Sequence, residues 1–318
     1  MKFFWIALIV LVAVVLPLFL GVFICFLIPF YVKREKPKEG EHEFSIPKGN
    51  IYEPFRDQMI AWMKETYAYP CREFYIKSHD GLTLHACYYE QTPGAPIELM
   101  FHGYRGTAER DLCGGMQRCF SLGRNAFIVD QRGSGKSEGR VISFGAKESL
   151  DCLAWTKFMA EHFGPDVKII LCGISMGAST VMLASGMDLP ENVVGVLADC
   201  GYSSAKDIIL LVTKQIGLSP KFFYPLIRLG AVIFGGFDPN KVSPIDAVAK
   251  SKIPVIFFHG ENDDFVPPEM SKACFDACSA KKKLVTVPNA GHGLSYLVAP
   301  ELYLSSLAEF FPEYTVLG

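Results

Sequence analysis

The sequence predicts an α/β domain with a mostly parallel eight-stranded sheet and helices on both faces, preceded by one membrane-spanning helix. Two observations lead to this prediction. From about residue 70 onward, short runs rich in β-branched residues alternate with longer stretches of helical periodicity. Before that region, residues 3–32 contain no charged side chain, and about 20 apolar helical residues suffice to cross a bilayer.

Composition divides the chain into three segments. Residues 1–32 are predicted to be a transmembrane anchor, since the apolar run is about twice as long as that of a signal peptide and lacks an A-x-A cleavage site. Residues 33–50 are charged and interrupted by prolines and glycines, which is typical of a tether. Residues 51–318 form the predicted globular domain, with a helical cap inserted at about 201–252.

Charge and cysteine usage restrict the cellular setting. The chain has 31 basic and 33 acidic residues, so no overall positive field exists to attract nucleic acid. Basic residues follow the apolar run at Lys33, Arg34, Lys36 and Lys38, which favours a cytoplasmic domain on a single-pass anchor. Nine cysteines outside the predicted anchor favour a reducing compartment. Neither a C-x-x-C nor an H-E-x-x-H spacing occurs, so the sequence contains no such metal-binding motif.

The periodicity places the elements in order. Strands are predicted at 73–77, 83–89, 97–101, 126–129, 168–172, 193–198, 255–258 and 284–287, and helices at 54–67, 146–162, 176–187, 268–279 and 293–311. The first two strands form an antiparallel hairpin with Asp80 and Gly81 at its turn.

A candidate nucleophile lies between a strand and a helix. The sequence Gly173-Ile174-Ser175-Met176-Gly177 is a G-x-S-x-G motif in that context. The two glycines permit a sharp turn that projects the serine hydroxyl above the sheet edge, and the following helix directs its positive end at a developing oxyanion.

A serine nucleophile needs a base and an orienting acid, in the chain order Ser, Asp or Glu, then His. Only His259 and His292 follow Ser175. His259 closes a predicted strand, whereas His292 lies in a small-residue loop, so His292 is the predicted base. Spacing alone leaves Glu261, Asp263 and Asp264 open as the acid.

Two backbone N–H groups must stabilise the oxyanion. Met176 follows the nucleophile and supplies the first. The loop His102-Gly103-Tyr104-Arg105-Gly106 follows the third strand, and its glycines allow the Tyr104 amide to turn inward. We expect His102 to hold this loop.

With these motifs in order, the sequence resembles the α/β-hydrolase family, in particular its membrane-anchored bacterial members and the serine aminopeptidase and monoacylglycerol lipase-like branch. The resemblance covers about residues 70–312 and includes H-G-x-x-G at 102–106, D-x-R-G-x-G-x-S at 130–137, G-x-x-D-x-x-V-P at 260–267 and A-G-H at 290–292. It implies that Ser175 is the nucleophile, Asp263 the orienting acid, His292 the base, and Tyr104 and Met176 the oxyanion donors, with no cofactor.

One motif is misleading. The Gly135-Lys136-Ser137 sequence suggests a phosphate loop, but Asp130 stands where that motif requires glycine. We expect Asp130 and Arg132 to form a structural ion pair instead.

These observations predict a membrane-anchored serine hydrolase that cleaves an ester through an acyl-Ser175 intermediate. Apolar residues of the insertion, including Phe222, Phe223 and Phe234, predict a pocket for an apolar acyl or aromatic group, and hence a small-molecule or lipid-like acyl substrate. The alternatives are a serine peptidase or amidase, an acyltransferase, and a non-catalytic scaffold on the same fold.

Overall fold

A computed structural model describes residues 1–5, 11–33 and 44–315, and its centre is an eight-stranded sheet. The strands are β1 (Arg72–Lys77), β2 (Thr83–Tyr89), β3 (Ile97–Phe101), β4 (Asn125–Asp130), β5 (Ile169–Ile174), β6 (Val193–Asp199), β7 (Val255–Gly260) and β8 (Lys282–Val287). All eight predicted strands are present.

The strand order is β1-β2-β4-β3-β5-β6-β7-β8. β2 pairs antiparallel with both β1 and β4, and every other pairing is parallel. The mostly parallel sheet and its N-terminal hairpin are therefore confirmed. Since parallel strands need crossover connections, the helices cover the two faces.

The helices that lie wholly within the described residues are, in chain order, α1 (Leu16–Phe30), α2 (Arg56–Ala68), α3 (Ala108–Ser121), α4 (Glu148–Phe163), α5 (Met176–Ser185), α6 (Ala205–Gln215), α7 (Pro220–Gly230), α8 (Pro244–Val248), α9 (Pro268–Ala277), α10 (Ser295–Val298) and α11 (Pro300–Phe310). A π-helical turn, Leu11–Val15, precedes α1, and a second one, Ala231–Gly235, follows α7. The single helix predicted at 293–311 is divided into α10 and α11 at Pro300.

Apolar side chains form a separate core on each face of the sheet. On one face, Trp155 of α4, Val181 of α5 and Cys274 of α9 pack against the strands. On the other face, Leu112 of α3 and Leu307 of α11 do so. The carboxyl ends of the parallel strands are left for the cap and the functional loops.

A third apolar cluster joins the N-terminal helix to the cap. Phe26 and Phe30 of α1 are buried against Ile227 of α7 and Phe237, and the same cluster includes Met176. The backbone continues this docking, since Tyr31 forms an isolated bridge with Val141. The helix α1 therefore packs on the domain beside the carboxyl ends of the strands.

In the part of the chain that the structure describes, no helix is both long enough and apolar enough to cross a bilayer. This finding does not support the transmembrane helix that the sequence predicts within residues 1–32. Residues 6–10 of that segment lie outside the described residues. Residues 34–43 of the predicted tether also lie outside them.

The predicted ion pair between Asp130 and Arg132 is wrong. Arg132 instead pairs with Asp80 at 2.9 Å and with Asp151 at 2.6 Å. Asp130 accepts from the Lys136 amide and contacts Nδ1 of His85 at 2.7 Å. The two side chains thus serve different anchoring networks, since Asp130 is the last residue of β4 whereas Arg132 lies in the turn that follows it.

Candidate active site

The turn between β5 and α5 holds Ser175 in a strained conformation. Its φ is +56° and its ψ is −118°, a region that residues with a side chain rarely adopt. A Cβ on Gly173 would overlap the backbone of Gly177, and a Cβ on Gly177 would overlap the carbonyl of Phe101. Only glycine fits at these two positions, and the tight turn places Oγ of Ser175 at the end of the sheet.

The structure brings Ser175, His292 and Asp263 into one hydrogen-bonded chain. His292 Nε2 lies 2.9 Å from Ser175 Oγ, and His292 Nδ1 lies 2.7 Å from Asp263 Oδ2. Because an ionised carboxylate only accepts, Nδ1 carries the proton and Nε2 is free to accept from the serine hydroxyl. This tautomer is the one that general-base chemistry at Ser175 requires.

Asp263 is the one member of the three candidate carboxylates that is placed to contact His292. It is buried, and its Oδ1 accepts hydrogen bonds from the amides of Phe265 and Val266. Asp264 and Glu261 are exposed. The surrounding loop therefore selects between carboxylates that spacing could not distinguish.

His259 is a second imidazole in contact with the Asp263 carboxylate. Its Nε2 lies 3.2 Å from Asp263 Oδ2 and 2.8 Å from the carbonyl oxygen of Val266. Burial alone raises the pKa of Asp263, but the hydrogen bonds from His259 and His292 outweigh this effect and hold that pKa well below its ordinary value. The carboxylate is therefore ionised and ready to orient His292.

The two predicted oxyanion donors lie beside the serine. Met176 is the first residue of α5, so its N–H has no carbonyl partner one turn back within the helix. Tyr104 lines the same cavity as Ser175. A Cβ at Gly103 would lie 3.6 Å from the Ser175 Cβ, which shows how closely the loop approaches the nucleophile.

His102 and Asp111 shape this loop. The backbone N–H of Gln131 donates to Nε2 of His102 at 3.1 Å, so the His102 proton is on Nδ1. This Nδ1 donates to the carbonyl of Gly103 at 2.8 Å. Asp111 accepts from the Gly103 amide at 3.1 Å. Asp111 lies on α3, a helix that the sequence interpretation missed, although Thr107 followed by acidic residues in the first turn is a helix-start signal.

Two cavities meet at Ser175. The apolar lobe, of about 380 Å³, runs between α1 and the cap helices α6 and α7 and reaches Met176. The second lobe, of about 160 Å³, is lined by Tyr52, Arg110 and His292 among others. Of the three phenylalanines predicted to line a pocket, only Phe223 lines the apolar lobe, whereas Phe234 packs against Phe26 of α1.

Sequence reasoning also missed two neighbours of His292. The Tyr52 hydroxyl donates to the His292 carbonyl at 3.0 Å and ties the segment before α2 to the site. Cys200 has a positive φ of 48° after β6, and burial raises the pKa of its thiol well above the ordinary value. Neither residue belongs to a motif, so no signal in the sequence marks them.

Among the described residues, two groups could offer metal ligands. One is Cys71, Glu73 and Cys87 at the sheet edge, and the other is Cys200, Asp263 and His292. In the second group, the imidazole and carboxylate already hydrogen-bond each other. The arrangement around Ser175 is therefore one that can supply an acid, a base and a nucleophile.

The comparison with known families agrees with this geometry. The profile of the alpha/beta hydrolase family matches residues 99–305. The chain belongs to this family. The chain is also 24% identical over 264 residues to the uncharacterized protein YqkD of Bacillus subtilis, covering 82% of each chain. It is 28% identical over 229 residues to the protein bem46 of Schizosaccharomyces pombe, covering 70% of each.

Solved structures show the same fold. An esterase of Pyrococcus furiosus superposes with a TM-score of 0.66 at 18% identity, covering 90% of this chain and 100% of that one. At this level of identity the similarity concerns the fold, and the chemistry must be argued from the site.

Proposed function

We propose that this alpha/beta hydrolase is a serine hydrolase that cleaves carboxylic esters of apolar acids. The observation that supports this most directly is the hydrogen-bonded chain Ser175, His292 and Asp263 at the head of the apolar lobe. A nucleophile, a base in the required tautomer and an ionised orienting acid are the parts of acyl transfer.

In the proposed reaction, Ser175 Oγ attacks the ester carbonyl carbon while its proton passes to Nε2 of His292. The oxyanion accepts hydrogen bonds from the amides of Met176 and Tyr104. When the carbon–oxygen bond to the alcohol breaks, His292 returns the proton to the leaving oxygen. Water then attacks the acyl-serine by the same route and releases the acid, while Asp263 stabilises the imidazolium in both halves.

The two lobes suggest how a substrate is divided between them. The apolar lobe is suited to a hydrocarbon acyl chain. The second lobe, with Tyr52 and Arg110 in its wall, is suited to the alcohol part. An ester linking an apolar acid to a small alcohol therefore fits better than a peptide, whose side chains and amides need more polar partners.

The test is turnover by the full chain of p-nitrophenyl esters, the matching anilides and an ester with added glycerol. We expect free acid from the esters, with much slower release from anilides. Preferential cleavage of the anilides would indicate an amidase. An acylglycerol as the main product would indicate an acyltransferase. No product from any of the three would favour the scaffold alternative.

We also propose that the chain is attached to a membrane through its N-terminal apolar residues, with the domain on the cytoplasmic side. Large apolar side chains are exposed along α1 and the adjoining cap at Leu16, Leu18, Phe19, Leu20, Leu229, Val232 and Ile233. Such contiguous surface is typical of membrane contact. Cells expressing the full chain should retain it in the membrane pellet after ultracentrifugation, and recovery in the supernatant would contradict attachment.

A further inference from the structure

The N-terminal helix α1 lies against the candidate site as well as against the cap. We infer that α1 is a wall of the substrate cavity and that Ile24, Cys25 and Ile28 select the length of the acyl chain. This inference rests on the proposed esterase function and adds a specificity role for a segment that the sequence predicts only to be an anchor.

The lining of the apolar lobe supports the inference. Ile24, Cys25, Ile28 and Pro29 form one side of the lobe, and residues of α6 and α7 form the opposite side. The lobe ends at Ser175 and Met176. A linear acyl chain bound covalently to Ser175 and extending along this lobe would therefore contact the side chains of α1.

The helix is fixed in this position by close packing. Phe30 is fully buried, with edge-to-face contacts to Phe144 and Phe237 at 5.6 and 5.2 Å between ring centroids. A Cβ on Gly230 of α7 would lie 2.8 Å from the carbonyl oxygen of Val22. Since only glycine allows this approach, the two helices are in backbone contact.

The end of α1 is also bound to the loop that carries the oxyanion donor. The Tyr104 hydroxyl donates to the carbonyl of Pro29 at 2.7 Å, and Arg105 Nη2 donates to the carbonyls of Ile28 and Tyr31 at 2.7 and 3.1 Å. A cation at a helix C-terminus also satisfies the negative end of the helix dipole. These hydrogen bonds thus hold α1 at a fixed distance from the oxyanion loop and from Ser175.

The outer part of the wall lies at the mouth of the lobe. Ile24 is 52% exposed and Ile28 is 64% exposed, although both line the lobe. Ile216 and Leu218 on the cap side line it too and are also exposed. An acyl chain long enough to reach this mouth gains apolar contacts that a short acyl group does not make. The preferred substrate class is therefore an ester of a long, unbranched fatty acid.

The first test measures kcat/KM for p-nitrophenyl dodecanoate and acetate with the wild type, Ile28→Trp and Leu18→Trp. Leu18 is exposed on the same helix and does not line the lobe. We expect Ile28→Trp to lower the dodecanoate-to-acetate ratio about tenfold or more, since two methylenes kept out of apolar surroundings correspond to about that factor. Leu18→Trp should keep the wild-type ratio. An unchanged ratio in Ile28→Trp, or an equal change in both variants, would overturn the inference.

The second test does not depend on turnover. The full chain is reacted with a dodecyl or an ethyl fluorophosphonate and then with a maleimide, and each cysteine is quantified by peptide mass spectrometry. We expect the dodecyl adduct on Ser175 to slow labelling of Cys25, whereas the ethyl adduct leaves it accessible. Exposed Cys71 is the internal control. Equal labelling of Cys25 in both adducts would contradict the proposed path of the acyl chain along α1.

These tests separate the inference from the proposed function. If the wild type turns over esters and is labelled at Ser175 but neither test responds to chain length, only the role of α1 is wrong. If the wild type neither turns over esters nor reacts with a fluorophosphonate, the proposed function itself fails.

Discussion

At the scale of single residues, the local backbone decides which of several similar side chains is used. Glu261, Asp263 and Asp264 lie within four residues of one another, yet only Asp263 is buried and contacts His292. Chain order limited the base to His259 or His292. Chain order could not show that His259 contacts the same Asp263 carboxylate as His292. Motifs therefore identify the residue types, and the loop geometry assigns them.

Replacing Asp263 with asparagine should lower kcat by roughly 10³- to 10⁴-fold, because an amide in place of the carboxylate favours the wrong tautomer of His292. The measurement is steady-state turnover of a p-nitrophenyl ester. Asp264→Asn is the matched control, since its side chain is exposed, and should leave kcat nearly unchanged. Equal losses in both variants would contradict the assignment of the acid.

The depressed pKa of Asp263 predicts a specific pH dependence of stability. A carboxyl group that is more acidic in the folded chain stabilises the fold above its unfolded pKa of about 3.9, and this contribution is lost as the pH falls toward the folded pKa. Below about pH 4, the difference in urea midpoint between the wild type and Asp263→Asn should therefore narrow as the pH falls. A difference that widens on acidification would show that the carboxylate is not stabilised by its partners.

At the scale of elements, strands were easier to predict than helices. The predicted strand ends lie close to the observed ones, because short β-branched runs bounded by turn residues have few alternatives. The helix α3 was missed because Gly114 and Gly115 lower its intrinsic propensity. Tertiary packing leaves little space at both positions, since a Cβ on Gly114 would lie 3.3 Å from the Trp62 ring of α2 and a Cβ on Gly115 would lie 3.3 Å from Sδ of Met100. Pro300 divides α10 from α11 because it cannot continue the backbone hydrogen bonds.

A buried ionic cluster connects three elements near the centre of the sheet. Glu98 of β3 contacts Arg118 of α3 and also Arg124, which lies 2.7 Å away just before β4. Burial alone raises the pKa of Glu98, but the two guanidinium groups outweigh it and hold that pKa below its ordinary value.

Changing Glu98 to glutamine should lower the free energy of unfolding by about 3–5 kcal/mol, because two buried cations lose their counter-charge. Urea denaturation of the full chain measures this. Glu309→Gln removes one partner of a pair with Lys283 at the surface and should have little effect. If the midpoint of Glu98→Gln matched that of Glu309→Gln, the cluster would not contribute to stability.

At the scale of the whole molecule, the unexpected feature is the docking of α1. A long uncharged run is compatible with membrane insertion and also with burial against the protein, and composition cannot separate these outcomes. The partners of the run lie far away in sequence, at Phe144, Ile227 and Phe237. Such long-range pairing leaves no local pattern. The mostly parallel sheet was predictable from the sequence, whereas the wall of the cavity was not.

Phe30→Ala should lower the apparent melting temperature of the full chain by on the order of 10 °C, because deleting a fully buried phenylalanine costs about 3–5 kcal/mol. Leu18→Ala, on the exposed side of the same helix, should change it little. Differential scanning fluorimetry of detergent-solubilised protein gives both values. Equal melting temperatures would indicate that α1 is not docked.

The central claim is that Ser175 is the nucleophile, activated by His292. The most direct measurement is labelling of the full chain with a fluorophosphonate, followed by peptide mass spectrometry, for the wild type, Ser175→Ala and His292→Ala. A single adduct on Ser175 in the wild type, absent from Ser175→Ala and strongly slowed in His292→Ala, is the predicted result. Labelling at another residue, or equal labelling rates in the wild type and His292→Ala, would contradict the claim.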